Sequence, residues 1–160
     1  MATHRLFLED FEASYSLIAL HSPVEDYKLV YEMNQQLTSK FFRVRKDIDL
    51  VQQGVCFSRF EWENNQTDTV WNLVTNRVSV NTESEVDQLT LFNTDSDANT
   101  IHYYLIPEQP KVDYFLKIGG DCSQLMMNKL LLKLKEIPHL ETAYSIDHTM
   151  LKSRSNLIFE

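Results

Sequence analysis

Val112-Asp113-Tyr114-Phe115-Leu116-Lys117-Ile118-Gly119-Gly120, followed by Asp121-Cys122-Ser123, is the stretch whose reading decides the fold. Val112, Tyr114, Leu116 and Ile118 alternate with Asp113, Phe115 and Lys117, the period-two pattern of a strand with one apolar face. Gly119-Gly120 breaks the strand, and Asp121 or Ser123 can cap a helix that runs to about Ile137, where Pro138 ends it. Met126, Met127, Leu130, Leu131, Leu134 and Ile137 form the core stripe of that helix, while Leu125 and Leu132 project from the opposite side among Lys129 and Glu136. Two apolar residues on one outer line mark a candidate interface for a protein partner or a second copy. The alternative is that Leu6-Phe7-Leu8 and Phe11 fold back over them.

Working outward, Thr142 to Asp147 reads as a following strand, and Leu157-Ile158-Phe159 as a further edge. Upstream, Ile101 to Ile106 reads as a strand joined to Val112–Ile118 in a hairpin, with Pro107-Glu108-Gln109-Pro110-Lys111 as a stiff tip. Residues Asn81 to Thr100 are polar and read as an acidic, mobile loop. Asp95-Ser96-Asp97 opens like a calcium loop, but Thr100 and Ile106 stand where glycine and glutamate are needed.

The amino-terminal half repeats the strand–helix order. Ser14 to His21 is an apolar strand that meets Ser22-Pro23-Val24-Glu25, which reads as an N-cap, a first-turn proline and a capping box. The helix should reach about Thr38 with Val24, Tyr27, Val30, Tyr31 and Leu37 on one face. Asn34 lies in the middle of that face, as a satisfied hydrogen-bonder or a group aimed into a pocket. Strands are expected over Phe41 to Arg45, Val55 to Trp62 and Val70 to Val80, the last broken at Asn76, with Asn64-Asn65-Gln66 as a turn. The whole, residues 1–160, reads as one α+β domain. Its expected architecture is a two-layer sandwich of a mostly antiparallel sheet with two helices on one face, of which a ferredoxin-like arrangement is one version.

Composition bounds the function classes. A formal charge of −8 disfavours nucleic acid and anionic lipid, although Phe41-Phe42-Arg43-Val44-Arg45-Lys46 mixes aromatics and cations as single-strand binders do. No run approaches the roughly 18 apolar residues of a membrane span, and no signal segment is visible, so a cytoplasmic location is expected. Cys56 and Cys122 are isolated and read as buried thiols, and none of the five histidines stands at metal-ligand spacing. With three glycines and no phosphate loop or nucleophile elbow, neither metal nor cofactor is expected.

Ile106, Pro107, Glu108, Val112, Asp113 and Tyr114, six fixed positions in nine, reproduce the pattern of the IPExxxVDY family of small bacterial proteins, which this chain resembles. Thr142-Ala143-Tyr144-Ser145-Ile146-Asp147 with Leu151-Lys152-Ser153, and His21-Ser22 with Asp26-Tyr27, are similar to that family too. The resemblance implies one domain and carries no activity. From the residues themselves, a non-enzymatic binding or regulatory module is expected first. An enzyme using Glu108 and Asp113 as acid and base, helped by His21 beside a helix N-terminus, is the second reading, and a single-strand binder at Phe41, Arg43 and Arg45 the third. Against the second, Glu108 can accept loop N–H bonds and Asp113 can pair with Lys111 or cap its strand, while Tyr114 reads as core.

Overall fold

The computed structural model describes residues 14–50, 52–81 and 100–159. Its centre is a six-stranded antiparallel sheet formed by β1 (Tyr15–His21), β2 (Phe42–Arg43), β5 (Arg59–Asn64), β6 (Thr69–Thr75), β9 (Tyr114–Gly119) and β10 (Thr142–Ile146), in the order β10-β1-β9-β6-β5-β2. Helix α1 (Asp26–Leu37) follows β1, and α2 (Gln124–Lys135) links β9 to β10. Two smaller antiparallel pairs, β3 (Ile48–Leu50) with β4 (Val55–Phe57) and β7 (Arg77–Asn81) with β8 (Thr100–Tyr104), complete the described strands. This is the expected α+β architecture. Both helix crossovers are split: β9, β6 and β5 lie between β1 and β2, and β1 lies between β9 and β10. Among the described residues no helix is long and apolar enough to cross a membrane.

Alternation along the strands builds two cores. Ile18, Leu20, Leu73, Tyr114, Leu116 and Ile118 meet Leu29, Val30, Met33, Met127 and Leu134 of the helices. On the reverse face Leu17, Ala19, Val74 and Phe115 are covered by Val55 and Phe57, by Leu105, Ile106 and Val112, and by Leu151 and Leu157. Leu17 to Leu20 of β1 are apolar without interruption because this part of the strand is buried from both sides. The same covering buries Phe115, which the sequence pattern places with the polar residues of β9.

Several local expectations are corrected. Helix α1 begins later than Ser22-Pro23 suggests: its N-cap is Glu25, which makes no side-chain cap bond. Ser22 is buried and points elsewhere, its Oγ donating to the His139 carbonyl at 2.8 Å. The buried face of α1 is Leu29, Val30 and Met33, whereas Tyr27 and Tyr31 are each 65% exposed. The Val55–Trp62 run is split at Ser58, whose Oγ donates to Asp26 and whose N–H donates to the Thr75 hydroxyl, so β4 and β5 enter different sheets. The tail after β10 forms two short 3-10 turns, His148–Met150 and Arg154–Leu157, instead of an edge strand. Cys56 is exposed and Cys122 half-buried. The break at Asn76 and the turn after Asn64 are where the sequence puts them. The acidic loop after Asn81 and the Leu6–Phe11 arm lie outside the described residues.

Helix α2 starts as read: Ser123 Oγ accepts from the Met126 N–H at 3.3 Å. Met127, Leu134 and Ile137 are buried, while Met126 is exposed. In urea titration Ser123→Ala is expected to cost about 1 kcal/mol through the lost cap. Ser22→Ala should cost about 1 kcal/mol through the lost bond to the His139 carbonyl, with no change in the helical circular dichroism of the folded protein.

Candidate functional site

The segment from Ile106 to Tyr114 was expected at the tip of a hairpin, and the structure overturns that. Strand β8 pairs with β7, and β9 pairs with β1 and β6. The physical reason is Asn76, which is fully buried. Its backbone N–H donates to the Asp113 carbonyl at 2.9 Å, and its own carbonyl accepts from the Leu105 N–H at 2.8 Å. Its side-chain Nδ2 donates to the carbonyls of Gln109 and Val112, both at 2.8 Å, and Oδ1 accepts from the Ile106 N–H at 2.9 Å. The loop therefore closes around an amide side chain. Two turn bonds, Gln109 N–H to the Ile106 carbonyl and Val112 N–H to the Gln109 carbonyl, finish it.

Of the motif side chains, Pro107 is exposed, and the other five face inward or are tied to another segment. Ile106 and Val112 fill the second core. Glu108 accepts from the Ser153 N–H at 2.7 Å. Asp113 Oδ2 accepts from the Ser22 N–H at 2.9 Å, and its Oδ1 lies 3.9 Å from Arg77 Nη2, so its cationic neighbour is Arg77 in place of the expected Lys111. Tyr114 is buried as expected, and its hydroxyl donates to the Val24 carbonyl at 2.6 Å. Burial, reinforced by the negative charges of Asp26, Asp113 and Glu25, moves the Tyr114 phenol above its ordinary range and keeps it protonated.

Glu108 and Asp113 do not share a site. Burial disfavours the Glu108 charge, but hydrogen bonds from its own N–H and from Ser153 and Lys152 outweigh it and hold the carboxyl below the usual carboxylate range. A general acid needs the opposite shift. A cleft of about 460 Å³ includes Asp113, Arg77, Thr75, Ser22 and Glu25, and neither Glu108 nor a histidine lines it. His21 stands elsewhere, its Nε2 3.1 Å from the Tyr144 hydroxyl and its ring stacked on that phenol.

Asn34 is the satisfied hydrogen-bonder of the two options. Its Oδ1 accepts from the Phe41 N–H at 2.8 Å and from Ser39 Oγ at 2.9 Å, and its Nδ2 donates to the Phe41 carbonyl at 3.0 Å. It thereby closes the chain reversal after Thr38, which adopts a left-handed φ of 54°. In the aromatic–cationic run Phe41 is buried against Trp62, and Arg43 is ion-paired to Asp47. Leu125 and Leu132 are 65% and 64% exposed, on the outer side of α2 as the wheel predicts.

One grouping was not visible in the sequence, because its members come from distant segments. Cys122, Asp147 and His148 border a depression of about 280 Å³. It is not an activated nucleophile. Burial pushes the Cys122 thiol up, Asp147 accepts from the N–H and hydroxyl of Thr149, and His148 stacks on Tyr15 at 3.9 Å. Among the described residues no group of three or more His, Cys, Asp and Glu side chains could hold a metal ion. Comparison with protein-family models, curated proteins and solved structures finds no match to this chain.

Asn76→Ala leaves one buried N–H and two buried carbonyls without their partner, so a loss of about 3 kcal/mol or more is expected in urea titration. Asn76→Asp should be no milder, because a carboxylate cannot donate to the two carbonyls. A separate expectation concerns pH. The Glu108 carboxyl is held lower in the folded chain than in the unfolded one, so its contribution is present above the unfolded value of about 4.3 and lost as pH falls through the folded value. Wild type should exceed Glu108→Gln by less than about 1 kcal/mol at neutral pH, because the pair is solvent-screened. Thermal melts should converge in acid, and a gap that persists there would contradict the charge-based origin.

Proposed function

We propose that this chain is a non-enzymatic binding module of the IPExxxVDY family that works in the cytoplasm. The observation that carries the reading is the use made of the candidate catalytic groups. Glu108, Asp113 and Tyr114 each bond a backbone group of another segment, which leaves the most distinctive part of the sequence a structural clasp. Free thiols at Cys56 and Cys122 agree with a reducing compartment. Residues with unused contact capacity lie on the helix layer. Leu125 and Leu132 on α2 stand two turns apart and expose about as much as Tyr27 and Tyr31 on α1, and such side chains bind protein surfaces better than they reward solvent contact.

The interaction is a protein contact through the outer side of α2, with a second copy as the first partner to test. Sedimentation velocity over a wide concentration range should show wild type associating. The Leu125→Glu, Leu132→Glu double variant should stay monomeric with unchanged circular dichroism and melting. A wild type that remains monomeric throughout, with a double variant that unfolds, would show instead that these leucines are covered within one chain.

A further inference from the structure

On the sheet face opposite the helices, β5 carries Arg59, which is only 8% exposed. Among the described residues its guanidinium makes no hydrogen bond. The carboxylate that approaches it, Glu61, stays at 3.7 Å, and the Phe159 ring lies 5.0 Å from its Cζ. A guanidinium has five N–H donors, and those of Arg59 are ion-paired only to Glu61 and keep contact with solvent, so they hold capacity for a further acceptor. Those donors border a cavity of about 510 Å³ whose other walls include Ile48, Ile158, Phe159 and the Ser155 side. That size falls within the roughly 300–1,000 Å³ of small-molecule sites. The aromatic wall is fixed in place: Lys117 Nζ lies 4.8 Å from the Phe159 ring centre and donates to the Leu157 carbonyl at 2.6 Å.

The chemistry of the lining narrows the ligand. A planar fork of donors matches a carboxylate bidentately, and the apolar walls ask for an apolar body attached to it. Asp47 and Asp49 also line the cavity. Asp47 is already ion-paired to Arg43, and Asp49 accepts from the Cys56 thiol, so Arg59 and Lys46 face acids that oppose a second negative charge. A phosphate dianion is thus a poorer match than a monoanion. We propose that this cavity binds a small monocarboxylate with an apolar body, its carboxylate on the Arg59 fork and its body against Ile48, Ile158 and Phe159. The proposal goes beyond the protein-binding reading and rests on different residues, so either can fail alone.

The test is calorimetric titration of the whole 160-residue chain with 3-phenylpropionate, phenethylamine and inorganic phosphate, accompanied by amide chemical-shift mapping. Saturable binding of 3-phenylpropionate alone is expected, with shifts centred on Ile48 and Ser155. Arg59→Lys keeps the charge but loses the fork, and should weaken binding about tenfold or more. Ser155→Trp fills the cavity while leaving Arg59 in place, and should abolish binding even if the arginine variant proves too unstable to assay. Three results would overturn the proposal: no saturable binding at millimolar 3-phenylpropionate, phenethylamine or phosphate binding equally well, or a folded Ser155→Trp that binds like wild type.

Discussion

The side chain of Asn76 is the interaction on which the arrangement of the other segments depends. At the end of β6 the main sheet gives way to the β7–β8 ribbon, and a change of sheet leaves backbone groups of the departing chain and its neighbours without ladder partners. Asn76 answers this from one position. Its backbone bonds Asp113 on one side and Leu105 on the other, and its amide supplies two donors and one acceptor to the loop between them. Few side chains offer both roles in so little volume, and alanine, leucine or aspartate would each leave buried groups unpaired. Asn34 solves a smaller version of the problem after α1, closing a reversal that ends on Phe41.

Because the loop is anchored in this way, it can cover apolar surface instead of extending into solvent. Leu105, Ile106 and Val112 join Val55, Phe57, Leu151 and Leu157 over the reverse face of the sheet. A sheet buried by helices on one side and by irregular chain on the other must supply hydrogen bonds for that chain, since it has no regular ladder of its own. Here the supply is distributed: Glu108 serves Ser153, Asn156 donates to the Leu105 carbonyl at 2.8 Å, and Lys117 holds the Leu157 carbonyl. The motif, the tail and the sheet thereby stabilise one another.

The legible parts of the fold were those governed by local periodicity. The alternation in β9, the Gly119-Gly120 break, the Ser123 cap and the apolar run of β1 are properties of neighbouring residues, and the structure keeps them. What failed was set by partners distant in sequence. Ser22 beside Pro23 has the composition of a helix cap, yet its hydroxyl is bonded to His139 and its N–H to Asp113. Tyr27 and Tyr31 fit a helical stripe, but the stripe on Leu29, Val30 and Met33 faces the sheet, and wheel geometry alone does not rank two stripes of similar polarity. Two strands flanking a proline-rich link resemble a hairpin until Asn76 inserts a third chain between their ends. For the candidate site, the motif residues were identifiable and the structural reading of Glu108, Asp113 and Tyr114 was available, but the partners were not.

The polar side chains of Glu108, Asp113 and Tyr114 therefore have a role in folding. Each answers a backbone group of another segment: Ser22 and Val24 in the link between β1 and α1, and Ser153 in the tail. Changing Asp113 or Tyr114 would leave a part-buried backbone group without its bond, the costly side of the hydrogen-bond asymmetry, whereas the exposed Glu108 bond costs less to lose. Function is then better sought where side chains hold capacity that the fold does not use. On this molecule that means apolar surface on the outer helix faces and the donors of Arg59 that Glu61 does not use. The first offers area without direction, and suits another protein. The second offers direction within a confined volume, which suits a small anion, and nothing in the packing of the clasp requires either.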